Sequence, residues 1–261
     1  MKPNLIMAII LPIFLSAVSI NTFHGIDKNA NGIPSNKLGE NPYHTVGDIP
    51  VPSGYKRISV QRNSFGCWLR NIALKRSRIV YLYDGSAKKD QTMQFAVLDL
   101  SIGNKDLQQC ADAVMRLRAE YFFSQNKFDE INFRDNNNTH YKFSAPHYRN
   151  HFDQYLENVF RHCGTLSLER ELHPIRNIDD VQPGDVLIQG GSPGHAMLVI
   201  DMAKNNEEKK VFLLMQGYMP AQDIHIVVNP SKPNLNPWYE LSNDTCYTPG
   251  WIFPPDHFRT W

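Results

Sequence analysis

Three residues of this chain have types that together would support nucleophilic catalysis: Cys110, His195 and Gln216. Cys110 lies in a stretch that predicts a helix opening near Asp106, and a helix N-terminus favours a thiolate and lowers the thiol pKa. His195 begins a predicted strand after a Gly-Ser-Pro-Gly turn, and Gln216 ends the strand that follows. A thiolate, an imidazole base and a side chain that orients the base are the parts of a cysteine hydrolase. The sequence therefore predicts such a site.

Each of the three residues also has a structural interpretation. A cysteine at a helical core position usually behaves as a small hydrophobic residue, and Cys110 could instead be half of a disulfide. A single histidine at a strand start is commonly a hydrogen-bonded structural residue, and Gln216 could satisfy backbone groups. The order along the chain is more informative than any single member, because a strand that opens with Pro-Gly-Asp stands between the cysteine helix and His195.

Further polar residues are predicted to line the same cleft and bind substrate: Asp112, Arg118, Ser192, Tyr218 and Asp223. For Arg118 the alternative is a solvated helix face with a packed aliphatic stem. Asp223 and His225 could ligate a metal together with His195, but no spacing fixes that geometry, so no metal or other cofactor is predicted. The sequence has no glycine-rich phosphate loop before a helix and no HExxH. Gly-Gly-Ser-Pro-Gly at 190–194 fits the letters of GxSxG, but it lies between two predicted strands rather than at a strand-to-helix turn, so no nucleophile elbow is predicted.

The composition indicates a folded domain of ordinary charge. The 261 residues are 42% hydrophobic and 11% aromatic, and the net charge is +1. That apolar content suffices for a sizeable core, and the near-neutral charge argues against a nucleic-acid partner, which requires a basic surface. Only one long apolar run exists, which excludes a polytopic membrane protein. We expect a soluble enzyme or binding module.

The N-terminal residues predict export. Lys2 supplies a positive start, residues 5–18 are almost wholly apolar, and residues 17–19 offer the small side chains that a signal peptidase accepts. Residues 1–19 are thus predicted as a signal peptide, with an uncleaved anchor as the alternative. Residues 20–52 are predicted as a flexible linker, rich in turn-forming residues. The expected product is a periplasmic or secreted protein with a single domain over 53–261 and no integral membrane segment after signal removal.

Export bears on the four cysteines, which could form up to two disulfides in an oxidising compartment. None sits in a CxxC pair, so a structural zinc site is not predicted. A chain of this length does not need disulfides to fold, so free thiols are equally compatible with the sequence. The residues concerned are Cys67, Cys110, Cys163 and Cys246.

The order of predicted elements indicates an α+β fold. Hydrophobic periodicity predicts helices over 106–121 and 151–163, after two short strand segments at 78–83 and 95–100. A run of strands follows, without βαβ alternation. We therefore expect helices packed on an antiparallel β-meander or small barrel. The predicted strands of this second half are 185–189, 195–201, 211–216 and 224–228.

Part of the chain resembles the NlpC/P60 and CHAP cysteine peptidase superfamily. The resemblance is carried by Pro-Gly-Asp-Val-Leu at 183–187 and by Gly-His-Ala-Met-Leu-Val-Ile at 194–200. It covers roughly residues 104–122 and 181–218. It implies a papain-like fold, in which the catalytic cysteine starts a helix that packs on a small β-barrel.

The same resemblance implies Cys110 as nucleophile, His195 as base and Gln216 as a residue that orients the base. The chain departs from the superfamily at the helix start, where the usual Asp-Cys-Ser/Gly is replaced by Gln-Cys-Ala at 109–111.

At a finer level the chain resembles a family of exported bacterial envelope proteins defined only as a domain of unknown function. Three segments carry this second resemblance, residues 107–121, 189–196 and 216–223. The match would span most of residues 55–260. It implies a bacterial source and an extracytoplasmic location, and it implies no activity.

Two functions follow as hypotheses. The first is an exported papain-like cysteine hydrolase that acts on an amide bond, with a peptide or cell-wall-derived substrate such as a peptidoglycan stem peptide. The alternative is a non-catalytic envelope module that uses the same groove to bind a peptide or glycan. The departure at Gln109 and Ala111 motivates the alternative, and oxidation of Cys110 in a disulfide would favour it.

Overall fold

The fold is mixed α+β, as the sequence predicts. A computed structural model describes residues 39–143 and 151–261. The α-helices are Phe65–Arg70 (α1), Cys110–Ser124 (α2), Phe152–His162 (α3) and Thr165–Glu171 (α4). The strands are Tyr55–Arg57 (β1), Gln94–Val97 (β2), Asn132–Arg134 (β3), His140–Lys142 (β4), His173–Pro174 (β5), Val186–Gln189 (β6), His195–Asn205 (β7), Lys210–Gln216 (β8), His225–Val227 (β9), Tyr239–Glu240 (β10), Cys246–Tyr247 (β11), Ile252–Phe253 (β12) and Phe258–Thr260 (β13).

Nine of these strands form one antiparallel sheet. Its order is β2-β9-β8-β7-β6-β13-β5, and β1 and β10 pair with β7 and β8 respectively. The consecutive strands β6 to β9 are the predicted meander, each paired with the next. In the described residues the sheet stays open, so the structure has the meander but not the small barrel that was the other expectation.

The central strand β7 is buried on both faces, which explains its continuous apolar sequence. Successive side chains of a strand point to opposite faces. Leu198 and Ile200 belong to the core that includes α2, whereas Met197 and Val199 belong to a second cluster on the other face. The helix that carries Cys110 is therefore packed against the sheet that carries His195.

A buried carboxylate joins β1 and α1 to the middle of β7. Asp201 is fully buried and accepts hydrogen bonds from Arg57 Nε at 2.6 Å and from Arg70 Nε and Nη2 at 2.9 and 2.6 Å. The backbone N–H of Met202 donates to the same carboxylate at 2.8 Å. Two guanidinium groups and one backbone donor thus satisfy a charge that would otherwise be costly to bury.

The folded domain begins earlier than the sequence predicts. Val46 and Ile49 are fully buried in the main core, and Trp238 Nε1 donates to the carbonyl oxygen of Pro50 at 2.7 Å. Residues 39–52 are thus part of the domain rather than of a linker. Val46 and Ile49 are buried by tertiary contacts, which local composition does not reveal. The predicted signal peptide and residues 20–38 lie outside the described residues.

Two element predictions differ from the structure. Residues 78–83 form isolated bridges at Tyr81 and Leu82 rather than a strand. The helix α2 begins at Cys110 and not near Asp106, because the Asp106 carboxylate accepts the backbone N–H of Ala221 at 2.7 Å instead of capping the helix. Asp106 therefore ties the segment before α2 to the loop after β8.

Candidate active site

The described residues form a cleft of about 1050 Å³ at the N-terminal end of α2. Both Cys110 and His195 line it, as do three of the predicted substrate-binding residues, Asp112, Ser192 and Tyr218. The cleft walls come from the end of α3, the start of α4, the turn before β7 and the loop after β8. Tertiary folding thus brings together residues from segments that are far apart in the sequence.

Cys110 is the first residue of α2 and is half-buried at the cleft. Backbone N–H groups of Ala196 and Ala111 lower the pKa of its thiol, but burial raises it by more, so the pKa lies above its ordinary value. The expected lowering of this pKa by the helix N-terminus is therefore wrong for the free protein. Desolvation disfavours the thiolate more than the N–H groups stabilise it, and the resting group is a thiol.

His195 is the first residue of β7, and its ring is tied to the end of β8. His195 Nε2 lies 2.8 Å from Gln216 Oε1, in a fully buried contact. Burial lowers the pKa of His195 to about 4, against a smaller rise from the Gln216 contact. The imidazole is therefore neutral near pH 7, which is the protonation state that a general base requires.

Aromatic rings cover the His195 imidazole. The ring centroids of Tyr218, Trp251 and Phe253 lie 5.1, 5.5 and 6.1 Å from that of His195. Trp251 also lines the cleft, and its Nε1 donates to Gln189 Oε1 at 3.2 Å. These rings keep the histidine away from water, which accounts for its desolvation.

Two glycines allow the close backbone contacts that shape the cleft. A Cβ at Gly194, directly before His195, would lie 2.5 Å from Thr165 Oγ1 and 2.5 Å from the carbonyl oxygen of Gly191. A Cβ at Gly217, directly after Gln216, would lie 2.7 Å from the carbonyl oxygen of Gln109. Larger residues at either place would push the histidine turn away from α4 or the end of β8 away from α2.

Asp112 is a buried acid in the cleft wall with only one satisfied oxygen. Its Oδ2 accepts the backbone N–H of Gln109 at 2.9 Å, and Oδ1 has no hydrogen-bond partner among the described residues. Burial raises the pKa of Asp112 from 3.8 to about 8, partly opposed by the Gln109 N–H. The carboxyl group is thus protonated near pH 7.

We expect Asp112→Asn to make the protein more stable than the wild type at pH 8 but not at pH 5. An acid with a raised pKa binds a proton more tightly in the folded state, so its contribution is present below pH 3.8 and is lost as the pH rises to about 8. Over this range the free energy of unfolding of the wild type falls by about 1.4 kcal/mol per pH unit, the value for one proton. Urea unfolding of both proteins at the two pH values measures it. A stability difference that is the same at both pH values would contradict the burial of an uncharged acid.

Two of the predicted substrate-binding residues lie away from this cleft. Arg118 lines a separate cavity of about 450 Å³, where its guanidinium stacks 4.5 Å from the centroid of Phe122 and 4.9 Å from that of Trp261. Eight residues along a helix place it about 12 Å from Cys110. Asp223 is buried in an ion pair with Lys75, with Oδ1 at 2.8 Å from Nζ. Neither side chain lines the cleft that contains Cys110 and His195.

Gln216 has a second partner, His225, which is not predicted from the sequence. Gln216 Nε2 lies 3.2 Å from His225 Nε2, and the two residues are paired directly in the register of β8 and β9. Pairing the predicted strands 211–216 and 224–228 as a hairpin would have placed them side by side. Trp251 has no comparable local signal, since it comes from the C-terminal part of the chain.

The geometry does not place His225 in a metal site. Its Nδ1 lies 2.9 Å from the carbonyl oxygen of Asp223, and its Nε2 faces Gln216, so both ring nitrogens are engaged. Within residues 39–143 and 151–261, no group of three or more His, Cys, Asp or Glu side chains is arranged to hold a metal ion. All four cysteines are free, so Cys110 is not half of a disulfide.

Comparison with known families places this site in a named domain. The family described as domain of unknown function 4846 (DUF4846) matches two overlapping segments, residues 47–146 and 135–260. The chain belongs to the DUF4846 family. No curated protein and no solved structure matches it. The DUF4846 segments contain Cys110, His195 and Gln216. In the described part of this DUF4846 chain, no helix is both long and apolar enough to cross a membrane.

Proposed function

We propose that this DUF4846 protein is an exported cysteine hydrolase with papain-like chemistry, which cleaves or transfers an amide bond. Cys110 is the nucleophile, His195 the general base, and Gln216 the side chain that orients the base. The observation that carries the proposal is the 2.8 Å contact of His195 Nε2 with Gln216 Oε1 at a cleft that Cys110 also lines. Export rests on the predicted signal peptide.

The protonation states suit a reaction in which proton transfer accompanies attack. His195 accepts the thiol proton of Cys110 as the sulfur bonds to the substrate carbonyl carbon. The N-terminal N–H groups of α2 stabilise the negative charge that develops on the carbonyl oxygen. His195 then gives the proton to the leaving amine, and a thioester remains on Cys110. Water activated by His195 hydrolyses the thioester and restores the thiol.

The cleft supports a peptide as the substrate. Its volume of about 1050 Å³ accommodates several residues of an extended chain. Tyr218 and Trp251 offer aromatic surface to such a chain. Export and the resemblance to NlpC/P60 and CHAP peptidases favour stem peptides of peptidoglycan as the source of the amide bond.

Thiol labelling tests this proposal without a known substrate. We expect iodoacetamide to label Cys110 at pH 7 at least about 10-fold faster than Cys163, because the proposal assigns a histidine base to Cys110 and none to Cys163. Cys163 is a matched internal control, since it lines the same cleft and burial raises its pKa to about 12. Mass spectrometry of the non-reduced protein reports both rates across pH 5–9.

The variant His195→Ala completes the experiment. It should slow the labelling of Cys110 to a rate near that of Cys163 and leave Cys163 unchanged. Equal labelling of the two cysteines in the wild type, or no effect of His195→Ala, would refute the hydrolase.

A non-catalytic peptide-binding module is the second candidate. The observation that favours it is the raised pKa of the Cys110 thiol, which leaves little thiolate in the free protein. In that case the aromatic wall would hold a peptide, and Cys110 would be a half-buried, unreactive side chain. The labelling rates separate the two candidates.

A further inference from the structure

A chain of buried polar groups continues behind His195 into the sheet. Gln216 joins His195 to His225, with Oε1 at 2.8 Å from His195 Nε2 and Nε2 at 3.2 Å from His225 Nε2. His225 Nδ1 then lies 2.9 Å from the backbone carbonyl oxygen of Asp223. Gln216 and His225 are fully buried. Bulk water therefore does not reach these two side chains.

The last acceptor of this chain determines the direction of every hydrogen bond in it. The carbonyl oxygen of Asp223 only accepts, so His225 Nδ1 must carry a hydrogen. His225 is neutral, because burial, together with the nearby charge of Lys88, lowers its pKa to about 4 against a smaller rise from the Asp223 carbonyl oxygen. A neutral imidazole with a hydrogen on Nδ1 has a lone pair on Nε2, so the Gln216 NH₂ group donates to it.

The orientation of the Gln216 amide in turn sets the tautomer of His195. With its NH₂ group directed at His225, Gln216 presents Oε1 to His195 and accepts a hydrogen bond from Nε2–H. The lone pair of neutral His195 then resides on Nδ1, which is the ring nitrogen that Gln216 does not occupy. In the opposite tautomer the hydrogen would be on Nδ1 and the lone pair on Nε2, which faces Gln216. His195 would then have no free lone pair to accept the thiol proton.

We infer that His225 is a positioning residue, which acts through Gln216 to hold His195 in the tautomer whose Nδ1 accepts the thiol proton. The inference rests on the proposed function for its catalytic meaning, but the tautomer itself is a property of the free protein. Pairing in the sheet keeps the two partners in register, since Gln216 faces His225 across β8 and β9.

Nuclear magnetic resonance of protein labelled with ¹⁵N-histidine tests the inference directly. In the wild type at pH 7 we expect His195 to carry its hydrogen on Nε2 and His225 to carry its hydrogen on Nδ1, with signals assigned by their loss in single variants. A wild-type His195 protonated on Nδ1 would overturn the inference without any variant of His225.

Two substitutions separate positioning from packing. His225→Gln keeps a side chain that can accept from Gln216 and donate to Asp223, whereas His225→Leu removes both functions. We expect His225→Gln to retain the Nε2–H tautomer of His195 and the labelling rate of Cys110. His225→Leu should produce a mixture of His195 tautomers and slow the labelling of Cys110 at least about 10-fold, with Cys163 unchanged. An unaltered tautomer in folded His225→Leu would overturn the inference.

The tautomer of His195 tests the positioning role of His225, whereas the labelling rate of Cys110 tests the proposed hydrolase. If Cys110 of the wild type is labelled slowly and His195→Ala does not change that rate, the hydrolase proposal is refuted even where His195 has the expected tautomer. If His225→Leu does not fold, the wild-type spectrum still decides the direction of the hydrogen bonds, and His225→Gln tests whether an amide reproduces it.

Discussion

Replacement of Cys110 by Ala is expected to reduce amide-bond cleavage by at least about 1,000-fold, since removal of a catalytic nucleophile leaves only binding and electrostatic stabilisation. The thiol is half-buried, and the smaller side chain remains compatible with the first turn of α2, so the fold should persist. Solubilised peptidoglycan fragments are a suitable test substrate. The measurement is the release of new amino groups from them, followed by mass spectrometry.

Cys163→Ala is the matched control for this prediction. It makes the same substitution at a second cysteine of the cleft, which has no histidine partner in the proposal and whose pKa burial raises to about 12. We expect it to retain the wild-type rate. A fully active Cys110→Ala would show that Cys110 is not the nucleophile. Thermal unfolding of both variants separates a loss of chemistry from a loss of fold.

The second large effect is expected on stability, from Asp201→Asn. Asp201 is fully buried and pairs with Arg57 and Arg70, so its replacement by a neutral amide leaves two guanidinium groups without their counter-charge. Breaking a buried ion pair by removing one partner costs about 3–5 kcal/mol. Urea unfolding monitored by tryptophan fluorescence should show the change as a lower midpoint.

Glu157→Gln provides the comparison for Asp201. Glu157 also contacts two cations, Lys105 and Arg161, but its side chain is 36% exposed. An exposed ion pair contributes about 0–1 kcal/mol, so this substitution should leave the midpoint nearly unchanged. Equal effects of the two substitutions would contradict the assignment of Asp201 as the buried link between β1, α1 and β7.

Local sequence predicted α3 and the strands β6 to β9 in the second half of the domain, but not α4, β5 or the short strands β10 to β13. The strands β6 to β9 were recognisable because each is an apolar run bounded by turn residues, and β7 is long enough to be unambiguous. The helix α3 was recognisable from its amphipathic period. Residues 78–83 were wrongly predicted as a strand, because a run such as Ile-Val-Tyr-Leu-Tyr has strand propensity without having a partner strand to complete its hydrogen bonds.

The sequence by itself determined the residue types of the candidate site and the element on which each lies. Cys110 at a helix start, His195 after a tight turn and Gln216 at a strand end follow from local patterns, which depend on neighbours a few residues away. Asp112, Ser192 and Tyr218 were assigned to the same cleft for the same reason.

Only the tertiary structure decided which side chains meet and what their protonation states are. Arg118 lies on the Cys110 helix but faces another cavity, and the pKa of the Cys110 thiol is raised rather than lowered. The hydrogen bonds of Gln216 to His195 and His225 depend on strand register and burial. Desolvation and hydrogen bonding act over a few ångströms in space, between residues that the sequence separates, so they belong to the folded chain alone.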